Sequence, residues 1–277
     1  MKMSGKLYVV GTPIGNLSDF SPRAVETLAS VDFIAAEDTR VTLKLLNHFD
    51  IKKPMVSYFE HNRRERGEVI LERIKSGENC AIVTDAGMPA ISDPGEDLVN
   101  LCLSSGIAVE SVPGPTAIAT AVAMSGLPSG RFTFEGFLSV NKPSRREHLE
   151  EIVSERRTMV FYEAPHKLTA TLKDLYKYLG DRQIALIKEL TKIHETVERT
   201  TLSAACEKYS QQTPKGEFVI VIEGSTEPKQ KEVSLEEAVL LAKKLVESGM
   251  AINDAAKETA KETKLKKGDI YKALLGE

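Results

Sequence analysis

Short apolar, β-branched runs alternate with longer amphipathic stretches along the first half of the chain. Strand-like patterns cover 7–10, 33–36, 55–57, 81–84 and 108–112, and helix-like patterns cover 22–30, 42–49, 64–75, 95–104 and 116–124. A few apolar residues bounded by turn formers read as a buried strand, and strands separated by helices imply a mostly parallel sheet. Ser21 sits where an N-cap belongs, and Pro22 takes the first helical position, where a missing N–H does no harm.

The stretch Ser125-Gly126-Leu127-Pro128-Ser129-Gly130 concentrates turn formers and reads as a linker. After it the spacing changes. Strand patterns fall at 132–137, 159–162, 184–187, 196–201 and 218–222, with helices expected at 145–154, 167–178 and 204–209. Some of these strands follow one another without a helix between them, so the second sheet is expected to be mixed. Residues 225–232 are polar, and the rest is helical. Ser234-Leu235-Glu236-Glu237 is a capping-box pattern that Gly249 should terminate, Asn253 is placed to cap a second helix, and Gly268-Asp269 to open a third. The expected organisation is an α/β domain over 1–126, a second α/β domain with a mixed sheet over 127–226, and a helical appendage over 227–277. Two short helices and a tight turn there are compatible with a helix-turn-helix. From Lys229 onward there are ten Lys against nine Asp and Glu, so a solvated appendage fits equally well.

Composition narrows the class. With 277 residues, 42% hydrophobic and 28% charged, the chain is globular, and it lacks an apolar run long enough to span a membrane or serve as a secretory core. The cytoplasm is the expected compartment. Its three cysteines, Cys80, Cys102 and Cys206, are far apart, which indicates neither a disulfide framework nor a zinc site. A net charge of −3 argues against indiscriminate nucleic-acid binding but leaves room for a local basic surface.

Candidate chemistry gathers where strands end. The first strand stops on Gly11-Thr12-Pro13-Ile14-Gly15-Asn16, and the fourth on Asp85-Ala86-Gly87-Met88-Pro89-Ala90-Ile91-Ser92-Asp93-Pro94-Gly95. Glycine at such a point lets backbone amides approach a ligand. In open α/β sheets, ligands bind outside the carboxyl ends of the strands. The first loop lacks both the Gly-x-Gly-x-x-Gly fingerprint and a P-loop lysine, so a ligand without phosphates fits better. Asp85 is suited to a ribose or an ammonium group, or equally to stabilising a turn. Val112-Pro113-Gly114-Pro115-Thr116-Ala117 is a third segment of this kind.

Together these segments resemble the S-adenosylmethionine-dependent methyltransferases of the tetrapyrrole methylase superfamily, over nearly all of 7–224. Further motifs resemble the branch that modifies ribosomal RNA of the small subunit: Val10 to Leu17, Glu37-Asp38-Thr39-Arg40, Glu60-His61-Asn62, Phe161-Tyr162-Glu163-Ala164-Pro165-His166-Lys167 and Lys188-Glu189-Leu190-Thr191-Lys192. The resemblance implies two α/β domains around a cofactor cleft, a homodimer, no metal, and 2′-O-methylation of a cytidine ribose in the decoding centre. It further implies that Pro13, Ile14, Gly15, Asp85, Gly87, Met88, Thr116, Ala117, Tyr162, Leu190 and Gly216 line the cofactor. The porphyrin and corrin branch usually begins Gly-x-Gly-Pro-Gly-Asp, which this chain does not.

A ribose hydroxyl is a poor nucleophile at neutral pH, so a positioned base is worth seeking. Glu189 leads, with His194 and Glu195 as alternatives and Lys188 as a charge that lowers the hydroxyl pKa; Glu189 and Lys192 also suit a simple turn ion pair. For RNA, Arg63, Arg64 and Arg66, and Lys142, Arg145 and Arg146, offer cations and forks for phosphate, and His61 or Tyr58 a ring for stacking. The first arginine group also suits a solvated helix face. Rival readings are a tetrapyrrole methyltransferase, a dinucleotide-dependent oxidoreductase and a helix-turn-helix regulator.

Overall fold

The computed structural model describes residues 4–226, 234–263 and 265–275. These fall into two compact units divided after Thr226. In the first unit, β1 (Lys6–Val10), β2 (Phe33–Ala36), β3 (Met55–Ser57), β4 (Cys80–Val83) and β5 (Ala108–Val112) form a parallel sheet in the order β3-β2-β4-β1-β5. All residues of β2 and β4 are buried, as strands covered on both faces must be. Helices α1 (Pro22–Ser30) and α2 (Thr39–His48) cover one face through Leu28 and Leu46. Helices α3 (Arg63–Lys75) and α4 (Glu96–Ser104) cover the other through Ile70, Ile74 and Leu98. Because every strand runs the same way, residues 11–16, 37–38, 84–95 and 113–116 gather at one edge.

A second five-stranded sheet comprises β6 (Phe132–Gly136), β7 (Thr158–Glu163), β8 (Gln183–Lys188), β9 (Thr196–Thr201) and β10 (Phe218–Ile222), in the order β6-β7-β10-β8-β9. Of its neighbouring pairs only β6 and β7 are parallel, so the sheet is mixed as expected. Helices α6 (Lys142–Glu151), α7 (Pro165–Leu179) and α8 (Leu202–Gln211) lie on one face, over Leu149, Leu168, Leu172 and Leu202. The opposite face is covered by α5 (Ala117–Ser125), whose Ala121 and Val122 pack against Val160, Ala185, Ile187 and Val221. The Arg199 guanidinium of β9 donates to the carbonyls of Met124 and Ser125, tying down the end of α5.

Among the helices that start earlier than their apolar patterns suggest, three do so because a polar residue caps them, while α7 begins two residues early on Pro165 without a side-chain cap. The side chains of Asp38, Asn141 and Thr201 accept from the amides of Arg40, Ser144 and Ala204 and so open α2, α6 and α8.

The second unit holds α9 (Leu235–Glu247), α10 (Ile252–Thr263) and α11 (Lys267–Leu275), packed through Ala238, Ala242, Ala256 and Ile270. Ser234 and Glu237 form the expected capping box. Asn253 lies inside α10 rather than at its cap, because the Ala255 amide already bonds to the Ala251 carbonyl. The polar stretch expected at 225–232 lies mostly outside the described residues. Among the described residues no helix is long and apolar enough to cross a membrane, and no group of three or more His, Cys, Asp or Glu could hold a metal ion. Cys80, Cys102 and Cys206 are free thiols.

Candidate active site

Three loops of the first sheet are stitched into one floor. The Thr12 amide donates to the Gly87 carbonyl at 2.9 Å, the Gly87 amide returns the bond to Thr12 at 3.2 Å, and the Gly11 amide donates to the Val112 carbonyl. A Cβ on Gly11 would lie 2.6 Å from Met88 Sδ and 2.7 Å from Gly114 Cα, so only glycine lets the loops after β1, β4 and β5 close up this far. Gly15 extends the floor to the second sheet: its Cβ would meet Lys192 Cγ at 2.6 Å and Thr191 Oγ1 at 2.8 Å. Pro13 is buried, Ile14 half-buried, and Gly87 holds a φ of +87°. Thr116 caps α5 by accepting from the Ala119 amide, which places Ala117 at the helix start.

Residues of the second sheet close the other side. Ile14, Ala117, Tyr162 and Leu190 share one apolar cluster with Phe134 and Ile118. Tyr162, at the end of β7, lies edge-on to the rings of Phe134 and Phe137, with centroids 4.9 and 5.6 Å away. Burial, with a smaller push from the charge of Asp93, raises its hydroxyl to about 12. Gly216, with φ +81°, leaves room for Glu189; a Cβ there would lie 2.6 Å from Glu189 Cγ.

The crevice is acidic, a feature spread over sequence positions that pattern reading did not connect. Thr84 Oγ1 donates to Glu37, and Asp85 accepts from the Asp38 amide at 3.2 Å. Burial and the charge of Glu37 raise the Asp85 carboxyl. Asp38 is held at about 2 by its bidentate pairing with Arg40. Asp93 behaves in the opposite way, pushed up to about 6 by burial and by the charges of Glu37 and Asp85. Its loop is strained, for Ala90 and Ser92 hold φ values of +69° and +64°. Asp93 was visible in sequence only as part of a turn-rich run; its environment comes from residues far along the chain.

The expected catalytic residues do not converge. Glu189 Oε1 accepts from the Glu217 amide at 2.9 Å and from Lys192 Nζ at 3.2 Å, and Lys192 also reaches Glu217 at 2.8 Å. The Glu217 amide in particular holds the Glu189 carboxyl below its usual value. The ion-pair alternative is therefore present, in a turn where Glu189 and Thr191 have positive φ. Glu195 accepts from the Thr191 amide, His194 is exposed, and Lys188 is half-buried at the end of β8. Of the expected RNA contacts, His61, Arg64, Arg66, Lys142 and Arg146 are exposed, Arg63 pairs with Asp97 at 2.9 Å, and Tyr58 is buried in the core of the first sheet, where it cannot stack on a base. Arg145 is committed inside the fold: Nε donates to Asp174 at 2.7 Å and Nη2 to Thr171 at 2.9 Å.

Two parallel-to-mixed α/β layers meeting at glycine-stitched loops define the class. The chain belongs to the Tetrapyrrole (Corrin/Porphyrin) Methylases, whose family model matches residues 6–206. Its relatives are more specific. It is 47% identical over 272 residues, 98% of both chains, to a Synechocystis protein named Ribosomal RNA small subunit methyltransferase I. It is 48% identical to the Thermotoga maritima protein of that name, over 79% of this chain and 99% of the relative. A crystal structure of uroporphyrin-III C-methyl transferase from Thermus thermophilus, complexed with S-adenyl homocysteine, has the same fold, with a TM-score of 0.56 at 18% identity, covering 78% of this chain and 97% of the other.

Proposed function

We propose that this protein is a ribosomal RNA methyltransferase that uses S-adenosylmethionine to methylate the 2′-oxygen of a cytidine ribose in the decoding centre of small-subunit ribosomal RNA, working as a cytoplasmic homodimer. The observation that carries the reading is near full-length similarity to a relative named for small-subunit ribosomal RNA methylation, and a crevice lined by Ile14, Ala117, Tyr162 and Leu190 beside the stitched loops supports it. The donor set suits the cofactor: apolar walls from Ile14, Ala117, Leu190 and Tyr162 for a flat base, Asp85 for a ribose, and carboxylates for a cation. S-adenosylmethionine supplies the methyl group as an electrophile and needs no metal.

The protein's own part is positioning, exclusion of water and management of one proton. Holding the hydroxyl in line supplies several kcal/mol of the barrier. In this reading Asp93, close enough to Glu37, Asp85 and Tyr162 in the crevice for their charges and hydroxyl to interact, takes the proton in place of Glu189. A carboxylate of pKa about 6 accepts a proton more readily than one held low by an amide and a lysine. Glu189 instead shapes the turn after β8.

Transfer of labelled methyl to purified small subunits lacking the modification, beside a tetrapyrrole acceptor, tests the proposal. Label in the ribosomal RNA supports it. Cofactor binding with label only in the tetrapyrrole overturns it in favour of the other branch.

A further inference from the structure

Helices α6 and α7 enclose an open cavity of about 390 Å³ away from the glycine-stitched loops. Its lining carries four cations, Lys142, Arg145, Arg146 and Lys177, against one carboxylate, Asp174. Arg145 and Asp174 neutralise each other, and the Arg145 side chain, bonded also to Thr171, is only 16% exposed. The net positive field therefore comes from Lys142, Arg146 and Lys177. Lys142 and Lys177 have no ion-pair partner among the described residues, and Arg146 meets only Glu150, on the same exposed helix face at 3.7 Å. Leu149 is buried in the floor, and half-buried Tyr178 lies beside it with Lys177 Nζ 5.3 Å from its ring centroid.

An aromatic and aliphatic floor beneath a cationic rim suits one nucleotide: Lys177 leaves the outer face of Tyr178 for a phosphate, and a base takes its place on the ring. The volume lies at the small end of the ~300–1,000 Å³ that ligand sites occupy. One loop, between β6 and α6, touches both the groove and the crevice. Arg145 donates to the Ser139 carbonyl in the loop between β6 and α6, and Phe137 of that loop contacts Tyr162. Phe137 and Val140 of that loop are 56% and 78% exposed, apolar surface that a bound strand can cover.

We propose that the α6–α7 groove docks a nucleotide neighbouring the methylated one in the substrate RNA, with Tyr178 under its base and Lys142, Arg146 and Lys177 on its phosphates. Arg145 is a positioning residue that locks α6 to α7. The inference rests on RNA being the substrate and adds the place where the strand is held outside the crevice. A protein with an acidic surface is the other conceivable occupant, but it would leave the stacking floor without a role.

The test is the Lys142→Glu/Lys177→Glu double variant of the full chain, compared with wild type for binding to naked small-subunit RNA over a salt series. Expected results are an affinity at least about 30-fold weaker at low salt and a salt slope shallower by about one to two. The loss in methyl transfer should fall on KM rather than kcat, with S-adenosylmethionine affinity unchanged by calorimetry. Tyr178→Phe should bind RNA as wild type does, and Tyr178→Leu should bind at least about fivefold more weakly. An unchanged salt slope and KM overturn the proposal. So does a double variant that binds naked RNA normally and loses affinity only for the assembled subunit, which would assign the groove to a ribosomal protein. Wild type that binds RNA but methylates none removes the proposed function and leaves the groove assignment to be decided by the slope.

Discussion

Thr12 and Gly87, 75 positions apart, exchange both backbone hydrogen bonds, while Thr12 Oγ1 also donates to the Thr84 carbonyl at 3.1 Å. This pairing joins the loops after β1 and β4 beside the point where the chain's connections diverge to opposite sides of the sheet, the place where such folds bind ligands.

Gly11→Ala should break that floor. The new Cβ meets the Gly114 backbone at 2.7 Å, which cannot swing away as a side chain can. Overpacking of this kind costs about 1–3 kcal/mol, and cofactor affinity should fall more than about tenfold because three loops shift together. Gly130→Ala, with nothing within 4 Å, is the control and should be neutral within about 0.5 kcal/mol. Thermal unfolding and cofactor titration read both.

Glu189→Gln should lower kcat less than about tenfold and leave the pH–rate profile in place, because the carboxylate shapes a turn. A loss of about a hundredfold or more with a displaced acid limb would be the mark of a general base, and would restore that role to Glu189.

Asp93 makes stability depend on pH. Its carboxyl rises from 3.8 to about 6 on folding, so the folded state favours the neutral form. Its favourable contribution is fully present below about pH 4 and is lost as pH rises through about 6. Asp93→Asn should therefore be more stable than wild type at pH 8, by about 1 kcal/mol after allowance for solvent screening, with no difference at pH 4. Urea unfolding at the two pH values measures this. The same variant should lose methyl transfer about a hundredfold or more if Asp93 accepts the proton.

Removing residues 227–277 should leave cofactor affinity within about twofold. Each residue placed at the crevice lies in the first compact unit, and the Thermotoga relative is matched over 99% of its length by only 79% of this chain. RNA affinity of the truncated chain decides whether the helices touch RNA; no change removes that role.

Much of this was legible in sequence for local reasons. The strands and the loops at Gly11 and Asp85 announce themselves because a short β-branched run followed by glycine and proline has few other uses. The starts of α2, α6 and α8 were less legible, since Asp38, Asn141 and Thr201 look like ordinary loop residues until their side chains bond to helix amides. The seat of α5 was hidden as well. Ala- and Val-rich on most sides, it can bury against either sheet, and only the structure shows it on the second. Arg145 read as a phosphate fork because its partner Asp174 lies 29 residues away. Asp93 was silent for the same reason, as Glu37 and Asp85 create its environment.

Mass spectrometry of the nucleosides released from small-subunit RNA after incubation with this protein and S-adenosylmethionine decides the site of methylation. The expected product carries one methyl group, on the ribose of a single decoding-centre cytidine. A methyl on a base, or on RNA outside that centre, would contradict it.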